Sequence, residues 1–499
     1  MRRYSTWSPV LLLLIAFVAY PAFADTNYVV NQSGGGNYTN LNDCLTAINN
    51  GADTVYTVQF TDASAVTYDL NPPEQSINNG IHLTFTAPTA GIVSINGRLN
   101  VANGGGSMTA SNIHFYSTGQ WCILHGYDGQ FYTNCSFGPS GDNGIIIRSG
   151  TNNLFQDCTF DGVTNGAVRV SGGTGSANNC TWSNCGFCLV GEGTGNTTGL
   201  FTINGGSATG THTQGPALVL TAFFLRVNNF TTNGFRSVIT RDWEADNDIP
   251  AWMEVNNGTF TGIYDRAVTS YINNAKITSI TCNNCLFESN PAAAADMVVI
   301  DGRNQGENAT ITLNSCLVKY MNTSGQTGVN CWAGGTINLN NTVISGTQNS
   351  LLLTSQSEEP TYHVALNVNH CVLVNNTGVA TAVGDFPNET LTIRNTIIDA
   401  SNVGGIGIPE QVTRVIENNC INVAGSYMGD NAVTGDPMFV DAANFNFHIQ
   451  PGSVCAGAGI LTDLLVDVDG EVRPQGGSAP DIGIDEIAAT STVPNWNLY

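Results

Sequence analysis

Tyr132-Thr133-Asn134-Cys135-Ser136-Phe137 is echoed by Gln156-Asp157-Cys158-Thr159-Phe160 and by Asn178-Asn179-Cys180-Thr181-Trp182. The same frame returns at Asn283-Asn284-Cys285-Leu286-Phe287, Asn314-Ser315-Cys316, Asn340-Asn341-Thr342, Asn369-His370-Cys371, Arg394-Asn395-Thr396 and Asn418-Asn419-Cys420. Taking the residue after the Asn position as a marker puts it at 135, 158, 180, 206, 230, 259, 285, 316, 342, 371, 396 and 420, in steps of 22 to 31 residues. A period of this size marks a solenoid, a propeller or a repeat array. Propeller blades need about 40 residues, and leucine-rich repeats need a fixed Leu frame that is missing here. Short alternating strands without helical periodicity, about three per repeat, predict an all-β chain: a parallel β-helix (β-solenoid) of about 13 coils. Its equivalent strands would stack about 4.8 Å apart into a rod about 60 Å long.

The coil explains its own residues. Asn suits a sharp turn because it tolerates the left-handed conformation better than any residue but Gly, and its amide can bond to the Asn of the next coil. The cysteines share one register, so they are expected to stack inside as buried free thiols. Cys185-Gly186-Phe187-Cys188 and Cys282-Asn283-Asn284-Cys285 have the spacing of a metal pair. In the repeat frame Cys282 and Cys285 flank a turn and both point inward, where Leu339 and Thr342 sit later, so a local disulfide is favoured over zinc.

Composition agrees with this frame. Among 499 residues, charged side chains make up only 11%, Lys+Arg number 15 against 38 Asp+Glu, and Gly numbers 56. A helix-rich protein laced with Glu/Lys pairs is excluded, and the net charge of -23 speaks against nucleic acid or an anionic membrane as partner. Arg2 and Arg3, the apolar run Val10 to Ala19 and Ala22-Phe23-Ala24 form a secretory leader pattern ending before Asp25. The run is too short for a membrane span, so export to the medium or cell surface is expected.

The expected organisation is a leader over 1–24, an N-terminal cap with irregular first coils over 25–110, repeats over 111–435, a C-terminal cap over 436–487 and a polar tail over 488–499. Leu41, Cys44, Leu45 and Ile48 fall at helical spacing and predict a short capping helix. The period is lost around Asp436-Pro437-Met438-Phe439-Val440-Asp441, Phe447-His448-Ile449-Gln450-Pro451-Gly452-Ser453 and Ala456-Gly457-Ala458-Gly459. Asp467-Val468-Asp469-Gly470-Glu471-Val472-Arg473-Pro474 and Pro480-Asp481-Ile482-Gly483-Ile484-Asp485-Glu486 follow. With the coils, these segments resemble exported bacterial right-handed parallel β-helix repeat proteins of the pectin-lyase-like superfamily, particularly the group with a choice-of-anchor C-terminal region. The resemblance implies a right-handed β-helix. It leaves activity open, since the superfamily holds polysaccharide lyases, glycoside hydrolases and adhesins. Asp467 and Asp469 before Gly470, with Asp481 nearby, resemble the start of a calcium loop, although Ser478 stands where an EF-hand needs its twelfth-position Glu. A structural calcium ion and a simple hydrogen-bonded turn are the two readings.

In enzymes of this superfamily the substrate lies along one exposed strand stack and its loops. Alternation in the third strands puts Ile146, Ile239, Thr269, Val299 and Asn330 outward, a largely apolar or neutral face. The strand ends hold Arg148, Arg241, Tyr271, Asp301 and Trp332, with Asp242, Trp243 and Arg303 beside them. Aromatics that stack on sugar faces, with carboxylates and arginines for hydroxyl groups, make a carbohydrate groove. For catalysis, Asp242 and Asp301 would be the carboxylate pair of a hydrolase, and Arg241 and Arg303 the base or clamp of a lyase. Arg148, Trp243, Tyr271 and Trp332 would bind substrate. The Gly-His-Gly and paired-Asp signatures of the pectin hydrolases are missing, and Lys276 and Lys319 are the only lysines. Two readings result: an exported scaffold, adhesin or glycan-binding rod, or a polysaccharide lyase acting on a uronate-containing glycan. Self-association through the solenoid ends stays open.

Overall fold

The computed structural model describes residues 25–101, 105–126, 129–148, 150–191, 199–211, 215–220, 223–241, 251–271, 278–293, 296–301, 309–321, 327–332, 334–354, 363–376, 378–383, 389–399, 406–407, 412–423, 427–475, 477 and 479–487. The leader 1–24 and the tail 488–499 lie outside them. The chain is mostly β and winds into a parallel β-solenoid with one short helix. One sheet holds sixteen strands, taken one from each coil from Asp25–Val30 to Thr413–Glu417. A second sheet of 27 strands consists of two further ladders, joined where Val93–Val101 pairs with both Ile113–Ser117 and Trp121–His125. From Phe131 to Gly407 eleven consecutive coils each supply three strands. The expected number of about 13 counted less regular coils at the two ends.

The turn after the first strand of each coil sets the register. Asn134, Asp157, Asn179, Asn229, Asn257, Asn284, Ser315, Asn341, His370, Asn395 and Asn418 all have φ between 46° and 55°. Gly205 fills the same place at φ 67°, as expected of the residue that enters the left-handed region most cheaply. One residue earlier, the amides of Asn178, Asn204, Asn228, Asn256, Asn283, Asn314 and Asn340 form a continuous ladder of bonds 2.8 to 2.9 Å long. The pairing corrects two markers. Thr231↔Thr259 and Ile397↔Cys420 place Gly258 and Asn419 in the inward column, so residues 259 and 420 face outward. Both markers stand one residue late, because the left-handed residue is Asn257 and not Gly258 in one turn, and Asn418 and not Asn419 in the other.

All fourteen cysteines are free and buried. Cys282 and Cys285 therefore carry thiols and no disulfide, and Cys285 Sγ donates to the carbonyl of Asn283. The column also explains why Cys and Thr alternate in it. Cys316 and Cys371 donate to the carbonyls of Asn314 and Asn369, and the hydroxyls of Thr342 and Thr396 donate to those of Asn340 and Arg394. Two residues on, Phe115, Phe137, Phe160 and Trp182 stack at centroid distances of 5.0 to 5.6 Å, one ring per coil.

The helix Leu41–Asn50 buries Leu41, Cys44, Leu45 and Ile48, the four residues its spacing singled out, and Asn40 caps it through Asp43 N–H. The segment 436–487, read from sequence as an end cap, packs along the flank of the rod. The outward column of the second ladder runs Ser136, Thr159, Thr181, Ser207, Thr231 and Thr259, then Leu286, Leu317, Val343, Val372, Ile397 and Cys420. Six polar positions give way to six of apolar character. From Leu317 onward the apolar column is buried with Phe447, Ile449, Cys455, Ile482 and Ile484 of the C-terminal segment. The left-handed column changes its partners over the same coils. Asn134 and Asn257 donate to Asn112 and Asn229, whereas Asn341, Asn395 and Asn418 donate to the carbonyls of Val466, Ile460 and Ala458.

Asn256 donates to Asn228 and accepts from Asn283. Asn256→Ala should therefore cost about 1–3 kcal/mol, the range for removing one partner of a part-buried bond. The loss will appear as a lower midpoint in equilibrium denaturation, and an unchanged midpoint would deny the ladder a part in stability.

Candidate functional site

The third strand ladder carries the residues marked as a carbohydrate groove. Pairing of Tyr271 with Asp301 and of Asp301 with Trp332 puts these three in one column on successive coils. Coil spacing is about 4.8 Å, so the column spans about 10 Å. Arg241 pairs with Leu220 and Ser270 and so stands one position earlier, in a different column. Arg148 follows Ile147 on a coil five rungs away from Tyr271, about 24 Å along the rod. It is exposed and belongs to a separate stretch of surface. Asp242, Trp243 and Arg303 lie outside the described residues, and of Arg241, Tyr271, Asp301 and Trp332 only the backbone is described.

The mid-strand face differs from the alternation read in the sequence. Ile146, Arg169, Val190, Val219, Thr240, Thr269, Val299 and Asn330 share the outward column. Thr240 takes the place assigned to Ile239, which is buried in the core. Val238-Ile239 offers two adjacent apolar residues, so hydrophobicity alone does not fix the phase there. Val190, Val219, Thr240, Thr269 and Asn330 are each at most 8% exposed. Those five are covered, whereas Ile146 and Arg169, on the earlier coils, are half-exposed.

A charged cluster at the entry end of these strands was missed. Arg236 binds Asp265 at 3.2 Å, and Arg266 lies 3.9 Å from the same carboxylate. On the next coil Asp296 accepts from Asn330 Nδ2 at 2.8 Å and from Thr327 N–H at 3.0 Å. The Asp265-Arg266 pair one coil after Arg236 was the available signal. Each partner neutralises the other, and the exposed guanidinium of Arg236 is held by a pair of the kind worth about 0–1 kcal/mol.

The predicted calcium residues do not converge. Asp467 accepts from the N–H groups of Asp469, Glu471 and Glu486, and Asp481 accepts from those of Gly457 and Ile487. Both carboxylates are satisfied by backbone, as in a hydrogen-bonded turn. Among the described residues the only group with metal-ligand proximity is His448, Asp469 and Asp485. There His448 Nε2 donates to Asp469 at 2.7 Å, and Nδ1 faces Asn446 Oδ1 at 2.6 Å, an oxygen that also accepts from the His448 N–H. Both ring nitrogens thus act as donors, which leaves no lone pair for a cation. These residues do not fit calcium.

The loop is organised by Arg473, which is 4% exposed. Its guanidinium donates to the carbonyls of Asp481, Gly483 and Asp485, to Glu486, and across to Asn341 Oδ1 on the solenoid. Burial lowers the Arg473 pKa, opposed by the surrounding carboxylates. Burial and the same guanidinium hold the neighbouring His370 neutral, with its pKa down at about 2.

No family model matches the chain, and no curated protein matches it. Solved structures that align with the chain include three of low similarity. A rhamnogalacturonan lyase has a TM-score of 0.36 and 13% identity over 64% of this chain and 87% of that one. Pectate lyase Pel9A has a TM-score of 0.29 and 12% identity over 93% and 97%. XylC, in complex with xylose, has a TM-score of 0.34 and 10% identity over 93% and 99%.

Docking of the C-terminal segment should depend on pH. Burial works against a charged His448, but Asp469, Asp485 and Asp467 outweigh it and raise its pKa. Burial pushes Asp485 up to about 6, against the pull of His448. Both groups bind their proton more tightly when folded than when unfolded. Their contribution is complete below the unfolded values, about 6.5 for His and 3.9 for Asp. It is lost as pH rises, for Asp485 through about 6 and for His448 through its raised value. Amide exchange in 447–449 and 481–486, corrected for intrinsic rate, should be slower at pH 5 than at pH 8. Asp485→Asn should flatten the difference, and equal protection at the two pH values would refute the linkage.

Proposed function

We propose that the protein is an exported glycan-binding β-helix, a rod presented in the medium or at the cell surface that engages polysaccharide along its third strand ladder. The observation that carries this reading is the single column Tyr271–Asp301–Trp332, an aromatic, a carboxylate and an aromatic on three consecutive coils. Aromatic faces suit the apolar face of a sugar ring, and a carboxylate suits its hydroxyl groups. Arg241 on the neighbouring column favours a second reading, a lyase in which this arginine takes the proton beside a uronate carboxylate.

Affinity electrophoresis of residues 25–499 against neutral and uronate polysaccharides, followed by absorbance near 235 nm, separates the two. The expected result is retardation on at least one polysaccharide without an absorbance rise, and about tenfold weaker binding in Trp332→Ala, the loss of an aromatic anchor. An absorbance rise that disappears in Arg241→Ala would replace the binding reading with the lyase. Free migration through every gel would end both.

A further inference from the structure

On another face of the coil, where the sixteen-stranded sheet meets the C-terminal segment, lies an open cleft of about 370 Å³. One wall is the asparagine column, here Asn340, Asn369 and Arg394 on successive coils. The other is the chain Leu461 to Leu464. The volume lies in the range of small-molecule sites.

Two features set this cleft apart from ordinary surface. The amide ladder, unbroken from Asn178 to Asn340, stops here: Asn340 bonds back to Asn314, but Asn369 makes no side-chain bond among the described residues. Its donors and acceptor are left to the cleft. Opposite, Leu461 is 67% exposed, an apolar side chain held in water at the rim. Asp463, beside it, likewise has no partner among the described residues. Arg394 binds Glu417 through Nε at 2.6 Å, and its outer amino groups have no partner among the described residues.

We propose that this cleft binds a neutral saccharide. An amide offers donors and an acceptor, a guanidinium only donors and a carboxylate only acceptors. Together they match the alternating hydroxyl groups of a sugar ring, with Leu461 and Leu464 under its C–H face. Glu417 already offsets Arg394, and Asp463 adds a negative charge, so a uronate would meet net repulsion. The site is separate from the Tyr271–Asp301–Trp332 column, and the two predict opposite responses to mutation.

The test is calorimetric titration of residues 25–499 with cellobiose, xylobiose, mannobiose and galactobiose. Wild type should bind at least one of them. Asp463→Asn and Asn369→Leu should each weaken that binding about tenfold, the loss of one well-placed polar contact, while Gln59→Ala, at an exposed position on a distant coil, leaves it unchanged. Neither side chain supports the ladder, so thermal midpoints should stay at the wild-type value, and Leu461→Ser at the exposed rim supplies a second reporter that does not touch the core. The proposal is overturned if none of the four sugars binds at concentrations up to about 10 mM. It is equally overturned if the Asp463, Asn369 and Leu461 variants bind like wild type, or if Asp301→Ala abolishes the binding, which would assign the sugar to the third ladder instead.

Discussion

The structure depends on one repeated constraint: each coil must turn through a left-handed residue and stop in register with the coil beneath it. A residue with a Cβ pays for φ near +50° unless its side chain is short and polar, which is why Asn recurs at this corner. The amide ladder one residue earlier then fixes the height of every coil against its neighbours. Because the pairing is parallel and register is held at each step, residues distant in sequence become columns a few ångströms apart. Inward columns of thiols and rings, the flank column and the Tyr271–Asp301–Trp332 column all result from that one condition.

The C-terminal segment shows how the columns are used. A rod with one chemistry from end to end would have no reason to hold a chain of some fifty residues against one side. The change from Thr259 to Leu286 in the outward column supplies that reason. Over the following coils, leaving those apolar side chains in water would forgo about 1.5–3 kcal/mol for each fully buried residue, and the segment covers them with Phe447, Ile449, Ile482 and Ile484. The amides of the same coils bond to carbonyls of the segment in place of one another. Arg473 completes the joint. A charge buried this deeply is tolerated because carbonyl oxygens and Glu486 surround it. One coil chemistry thus produces an exposed half and a clad half.

The fold was legible because its cause is local. An Asn-rich turn followed by Cys or Thr can be recognised in any single repeat, and so can the i, i+3, i+4 spacing of Leu41, Cys44, Leu45 and Ile48. Readings that needed a comparison down the columns were less secure. The two late markers, 259 and 420, come from turns that offer two candidates for one left-handed position, Asn257 or Gly258 and Asn418 or Asn419. The polar-to-apolar switch at Leu286 was present in the sequence, but it emerges only when position 136 is lined up with 159, 181 and their successors. Asp467-Val468-Asp469-Gly470 illustrates a different limit. A carboxylate two residues before another, followed by Gly, serves equally to cap backbone N–H groups or to hold a cation, and the choice rests on distant partners such as Glu486 N–H. In the candidate groove, strand-end position located Tyr271, Asp301 and Trp332 together, whereas Arg241 and Arg148, also at strand ends, are separated from them by register.

That same register bears on how a rod of this kind can recognise a polymer. A column repeats at about 4.8 Å, close to the rise of the strand stack itself, so a ligand lying along the axis meets a new side chain at each coil. Where the column is uniform, as in the amide ladder from Asn178 to Asn340, the side chains satisfy each other and present little to a partner. Where it breaks, a polar group is released. Asn369 stands at such a break, and the wall that faces it was brought there by the apolar flank column on the next strand of the same coils. The binding surface is thus created where a structural ladder ends, and its position is set by the packing that ended it.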